Sequence, residues 1–124
     1  MNYLKSAVLG CMALAVTACQ STSDHTVTGV YATRYENEYA MGNDTIIVTA
    51  YNRSARTYEI EKRTGYQKIR HGKILPKEYA HKKWMAQYDP EKQVLQETVF
   101  GRQLFLNPGK KELTMGETHY RRVE

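Results

Sequence analysis

The feature that most constrains the fold is a succession of short runs of β-branched and aromatic residues separated by turn residues. The clearest run is 45–51, TIIVTAY, and the run 57–62 alternates apolar with charged side chains. Such runs are typical of strands, because these side chains pack well on a pleated surface. Turn residues end the runs, as at 89–91 (DPE) and 107–110 (NPGK). We therefore predict eight or nine consecutive antiparallel strands.

A meander of that length must close into a small barrel or curl into a two-layer sheet, because it has edges to protect and one face to bury. The predicted fold class is all-β, with at most one short helix near residues 76–83, where Pro76 can take the first helical position. We place the first strand at 29–34 and a bend or bulge at Thr64-Gly65. The expected core consists of Val30, Ile46, Val48, Ile60, Trp84, Leu95, Leu104, Leu106, Leu113 and Val123.

The N-terminus has the composition of an export signal. Lys5 precedes an apolar stretch at 7–16, which is too short to span a membrane, and Val16-Thr17-Ala18-Cys19 follows it. This order resembles the signal and lipobox of bacterial lipoproteins. The resemblance implies that the Cys19 thiol receives a diacylglyceryl group, that residues 1–18 are cleaved, and that the new amino end is acylated. The alternative is an ordinary secretory signal with an incidental cysteine.

The same resemblance implies a location. Two or more acyl chains give stable membrane attachment. In Gram-negative lipoproteins an Asp after the cysteine tends to retain the protein at the inner membrane, whereas this chain has Gln20. We therefore expect a lipid anchor in the outer membrane, facing the periplasm, a tether over 19–27 and a single β-domain over 28–124. The stretch 63–70 (RTGYQKIR) resembles small uncharacterised envelope lipoproteins, which implies no specific function.

Nucleophiles and metal ligands are scarce. Cleavage would remove Cys11, and acylation would occupy Cys19, so no thiol would remain for catalysis or a disulfide. Apart from the signal and tether, the only serine is Ser54, in an expected turn, so a serine triad lacks a candidate nucleophile. The histidines show no i, i+3 or i, i+4 pairing, which argues against zinc. We predict no enzymatic activity, no metal and no cofactor.

Positive charge is concentrated in the middle of the chain. Residues 62–83 contain eight bases against Glu78 alone, interleaved with aromatic residues. One interpretation of this pattern is a binding face for lipid headgroups, lipopolysaccharide phosphates, peptidoglycan carboxylates or an acidic protein. Alternatively, the lysines only keep an exposed edge from pairing. Export to the envelope argues against nucleic acid. The candidate binding residues are Lys62, Arg63, Tyr66, Lys68, Arg70, Lys73, Lys77 and Trp84.

Three functions fit this combination of features. The first is a non-catalytic binding or assembly module of the cell envelope, held by its N-terminal lipid. The second is an inhibitor or immunity-type lipoprotein that blocks a lytic envelope enzyme. The third is a small barrel that carries a lipid or another hydrophobic ligand, since an eight-stranded barrel can hold one small ligand.

Overall fold

The computed structural model describes residues 27–124, so the signal, Cys19 and residues 20–26 lie outside the described residues. The described chain forms nine antiparallel strands that follow one another with short connections. They are β1 (Gly29–Glu36), β2 (Ala40–Asn52), β3 (Thr57–Arg70), β4 (Lys73–Ile74), β5 (Glu78–Asp89), β6 (Val94–Glu97), β7 (Gln103–Asn107), β8 (Glu112–Met115) and β9 (Thr118–Arg122).

Eight of these strands close into a barrel. Their order is β2-β1-β9-β8-β7-β6-β5-β3, and the pairing of β2 with β3 completes the ring. The ninth strand, β4, pairs only with the end of β3, at Ile69 and Arg70. Closure removes the strand edges where the eight strands are paired around the ring. The prediction of an all-β small barrel is therefore confirmed.

Side chains alternate between the barrel interior and its outer surface. In β5, Trp84, Ala86 and Tyr88 share one face, and all three are buried. Two tyrosines, Tyr58 and Tyr88, meet edge to face with ring centroids 6.3 Å apart. Burying one large apolar side chain contributes about 1.5–3 kcal/mol. The interior also contains Val27, Tyr31, Ile46, Val48, Ile60, Leu95, Leu104, Leu106, Leu113 and Tyr120.

Two predicted core residues lie elsewhere. Val30 is only partly buried, and Val123 is 57% exposed. The interior positions belong to Tyr31 and Tyr120, because a shift of one residue along a strand moves a side chain to the opposite face. Tyrosine is suitable inside because its hydroxyl reaches a partner: that of Tyr31 donates to the Val27 carbonyl oxygen at 3.3 Å. Val27, which we assigned to the tether, is fully buried.

The segment expected to contain a helix is extended. Within residues 76–83, β5 begins at Glu78 and pairs with β3 from Tyr66 onward. The expected bend or bulge at Thr64-Gly65 is also absent from the described chain, since β3 continues through both residues while paired on each side. Gly42 of β2 lies close to this point, and a Cβ there would clash with the Gly65 carbonyl oxygen.

The strands differ in length, which gives the barrel a projecting arm. The long strands β1, β2, β3 and β5 extend beyond β6–β9 at one end, since β6 pairs only with 86–89 of β5 and β9 only with Tyr31 and Ala32 of β1. We call residues 62–83 the basic arm. Because β1 runs toward the arm, Gly29 lies at the opposite end of the barrel. No helix within 27–124 has the length and apolar character needed to cross a membrane.

Candidate functional site

The basic arm has two faces, and the candidate residues are divided between them. Strand alternation in β3 places Lys62, Tyr66 and Lys68 on the same face as the buried Ile60. Arg63 points to the outer face, opposite His81 of β5. The candidate residues predicted from the sequence therefore lie on both faces of the arm, so a ligand bound to one face cannot contact all of them.

On the inner face, Lys62 and Lys68 are paired with carboxylates. The Lys62 Nζ lies 3.9 Å from Oδ2 of Asp44, whose side chain is only 14% exposed. The Tyr120 hydroxyl donates to the same oxygen at 3.4 Å, while Oδ1 is buried without a hydrogen-bond partner among residues 27–124. Burial, and then the charge of Asp44, raise the pKa of Tyr120 far above its usual value. Farther out, Lys68 Nζ is 3.5 Å from Glu78.

On the outer face, Glu61 holds two partners. Arg63 Nε donates to Glu61 Oε1 at 2.5 Å, and His81 Nε2 lies 2.9 Å from the same oxygen. The hydrogen bond from Arg63 is the main reason that the pKa of Glu61 is lowered. Next to this group, Lys83 Nζ lies 3.6 Å from Glu59 Oε1. Arg63 and Lys83 are thus already neutralised in part.

A groove of about 630 Å³ runs across the outer faces of β2, β3 and β5. Gly65 lies at its floor, where a Cβ would come within 3.0 Å of the Lys77 Cε. The Lys77 Nζ lies 5.6 Å from the centroid of the Tyr79 ring, and that ring is 77% exposed. The groove therefore presents an accessible aromatic ring and an ammonium group side by side, with Asn43 and Thr45 on its other wall.

Three lysines of the arm are available to a partner. Among residues 27–124, Lys73, Lys77 and Lys82 have no carboxylate oxygen within 4.0 Å. All three are exposed. Lys82 was not among the candidate residues, although it belongs to the basic segment. It lies in β5 on the inner face, opposite the face that lines the groove.

Two of the candidate binding residues, Arg70 and Trp84, make contacts within the barrel. Arg70 Nη1 donates to the carbonyl oxygens of Tyr39 and Ile69, at 3.1 and 3.0 Å, so it ties the β1–β2 turn to the end of β3. Trp84 lies in the core, 8% exposed, and the Arg102 guanidinium lies 4.6 Å from its ring centroid. A ligand could reach the Trp84 ring only by displacing Arg102.

Comparison of the chain with family models, with curated proteins and with solved structures found no match. Within residues 27–124, no group of three or more His, Cys, Asp and Glu residues could hold a metal ion.

Proposed function

We propose that this chain is a lipid-anchored binding module of the cell envelope, which holds an acidic partner on its basic arm and catalyses no reaction. The observation that carries the proposal is the exposure of Lys73, Lys77 and Lys82 on one projecting part of the barrel, where none of them has a carboxylate partner among residues 27–124. Clustered charge of one sign attracts a partner of the opposite sign and raises its association rate.

The position of the N-terminus supports a partner on the periplasmic side. The chain enters the barrel at Gly29, at the end opposite the arm. If Cys19 is acylated, as the lipobox resemblance implies, the lipid anchor precedes this end of the barrel. The 14 residues of β3 extend over about 45 Å at a rise of roughly 3.3 Å each. The arm would then project away from the outer membrane, toward peptidoglycan and periplasmic proteins.

The test is a pull-down of the tagged full-length chain from its native envelope. In the arm variant, Lys73, Lys77 and Lys82 are changed to Gln. In the matched control, three exposed lysines at the opposite end of the barrel are changed to Gln: Lys92, Lys110 and Lys111. We expect a partner that the arm variant loses, that the control keeps, and that moderate salt weakens. Equal recovery by both variants, or no partner above background, would contradict the proposal.

An inhibitor of a lytic envelope enzyme is the second candidate, and the projecting arm favours it. Glycosidases carry a pair of carboxylates in their clefts, to which exposed lysines on a protruding arm are complementary. Inhibition assays with muramidases, using the same arm and control variants, test this candidate. Activity that is unchanged by excess wild-type chain would leave only the binding module.

A further inference from the structure

One long strand of the arm has a free edge. From Glu78 to Met85, β5 pairs with β3 on one side, but its pairing with β6 begins only at Ala86. Before Ala86 in the sequence, the side of β5 that faces away from β3 has no neighbouring strand among the described residues. A free strand edge presents unpaired backbone N–H and C=O groups, onto which another chain can add.

The hydrogen bonds at the lower end of β5 show which residues face this edge. The Tyr88 N–H donates to the Arg56 carbonyl oxygen at 2.8 Å, so even-numbered residues of β5 direct their backbone groups toward β3. The Met85 carbonyl oxygen accepts from the Thr98 N–H at 3.2 Å, on the opposite side. By the same alternation, Tyr79, His81 and Lys83 direct their backbone groups to the free edge.

The charge around this edge selects its occupant. On the outer face, the free edge carries His81 and Lys83, with Lys77 close to the exposed ring of Tyr79. On the inner face it carries Lys82, and neither Lys77 nor Lys82 has a carboxylate partner in the described part of the chain. Opposite charges on neighbouring strands stabilise pairing, whereas like charges destabilise it. A second copy would add its own Lys82 and Lys83 to an edge that already carries them, so the charge favours an acidic strand over a second copy.

We propose that β5 binds an extended acidic peptide segment as an additional strand along Tyr79–Lys83. This inference rests on the proposed function and specifies the form of its partner. Backbone hydrogen bonds to the residues that face the edge provide affinity, and carboxylates placed beside Lys82 and Lys83 provide selectivity. The segment occupies the opening beside the arm, above the short strands β6–β9.

The first test measures amide hydrogen exchange in the full-length chain in detergent micelles. In the free chain, we expect Tyr79 and His81 to exchange at least about a hundredfold faster than Ala80 and Lys82, whose N–H groups face β3. A peptide of threonines around two consecutive glutamates, which place one carboxylate on each face of the added strand, should protect Tyr79 and His81. The same peptide with alternate backbone amides N-methylated should bind at least about tenfold more weakly, and a lysine version should not bind. Binding of the acidic peptide without this protection, or no binding of it, would overturn the inference.

A pair of variants tests the edge itself. His81→Pro and His81→Ala both lose the contact with Glu61, but only the proline removes an edge N–H, at a position that makes no backbone bond to β3. We expect the acidic peptide to bind His81→Ala and to bind His81→Pro at least about tenfold more weakly. If circular dichroism shows that His81→Pro is unfolded, the N-methylated peptide decides.

The outcomes separate this inference from the proposed function. An envelope partner that the arm variant loses but His81→Pro keeps would refute strand addition and leave the basic arm as a binding surface. Loss of the partner in both variants supports both statements. Retention in both would contradict both, since neither the lysines nor the edge would then be needed.

Discussion

Replacing Tyr120 with Phe tests how the barrel accommodates a polar group in its interior. The Tyr120 side chain is 1% exposed, and its hydroxyl donates to Asp44 Oδ2 at 3.4 Å. Burial, and then the carboxylate, raise the pKa of this hydroxyl well above the ordinary value of 10.0. The native state therefore keeps its proton at a pH where the unfolded chain releases it.

The sign and size of the effect follow from linkage. Above about pH 10 the native state binds more protons than the unfolded state, so stability is lost as pH rises. At about pH 11 a single such tyrosine lowers the free energy of unfolding by about 1.4 kcal/mol. Tyr120→Phe removes this loss. At neutral pH the same variant loses a hydrogen bond, which costs about 1 kcal/mol.

The assay is urea unfolding of wild type and Tyr120→Phe at several pH values between neutrality and about pH 11. We expect the variant to be less stable at neutral pH and to match or exceed wild type near about pH 11, so that the two curves converge or cross. Tyr39→Phe is the control, since its side chain is 68% exposed. Parallel curves for wild type and Tyr120→Phe would refute the reasoning.

Other substitutions test the core and the arm. Ile60→Ala should lower the free energy of unfolding by about 2–5 kcal/mol in urea titrations. Gly42→Ala should cost about 1–3 kcal/mol, because its Cβ meets the Gly65 carbonyl oxygen, whereas Gly109→Ala, whose Cβ meets only an Asn107 side-chain oxygen at 3.7 Å, should not. The folded state lowers the pKa of Glu61, so this group stabilises the fold at pH values above the pKa of Glu61 in the unfolded chain. That stability is lost as the pH falls through the lower pKa of the folded state. The free energy of unfolding of Glu61→Gln should therefore fall less steeply with decreasing pH than that of wild type.

The basic arm also explains how one segment can serve two purposes that the sequence left as alternatives. The lysines beside the free edge of β5 prevent two copies from pairing, since like charges would meet. The same lysines favour an acidic strand. Protection against self-association and selection of a partner are therefore compatible on one edge.

Much of the barrel was predictable from local patterns. The run at 45–51 lies within β2, the turn at 89–91 joins β5 to β6, and Trp84 lies in the core as predicted. These features depend on side-chain periodicity and turn chemistry, which act over a few residues. Local composition failed at 76–83, where proline and charge suggested a helix, because pairing with β3 supplies the backbone hydrogen bonds of β5 instead.

The sequence by itself thus determined the class of fold, the apolar interior and the concentration of basic residues. Only the tertiary structure decided which of those bases are free. Lys62 pairs with Asp44 and Lys83 with Glu59, through register that brings distant residues together, whereas Lys77 finds no carboxylate among residues 27–124. Strand length and register also expose one edge of β5. Register is a property of pairs of strands, and a single strand's sequence does not contain it.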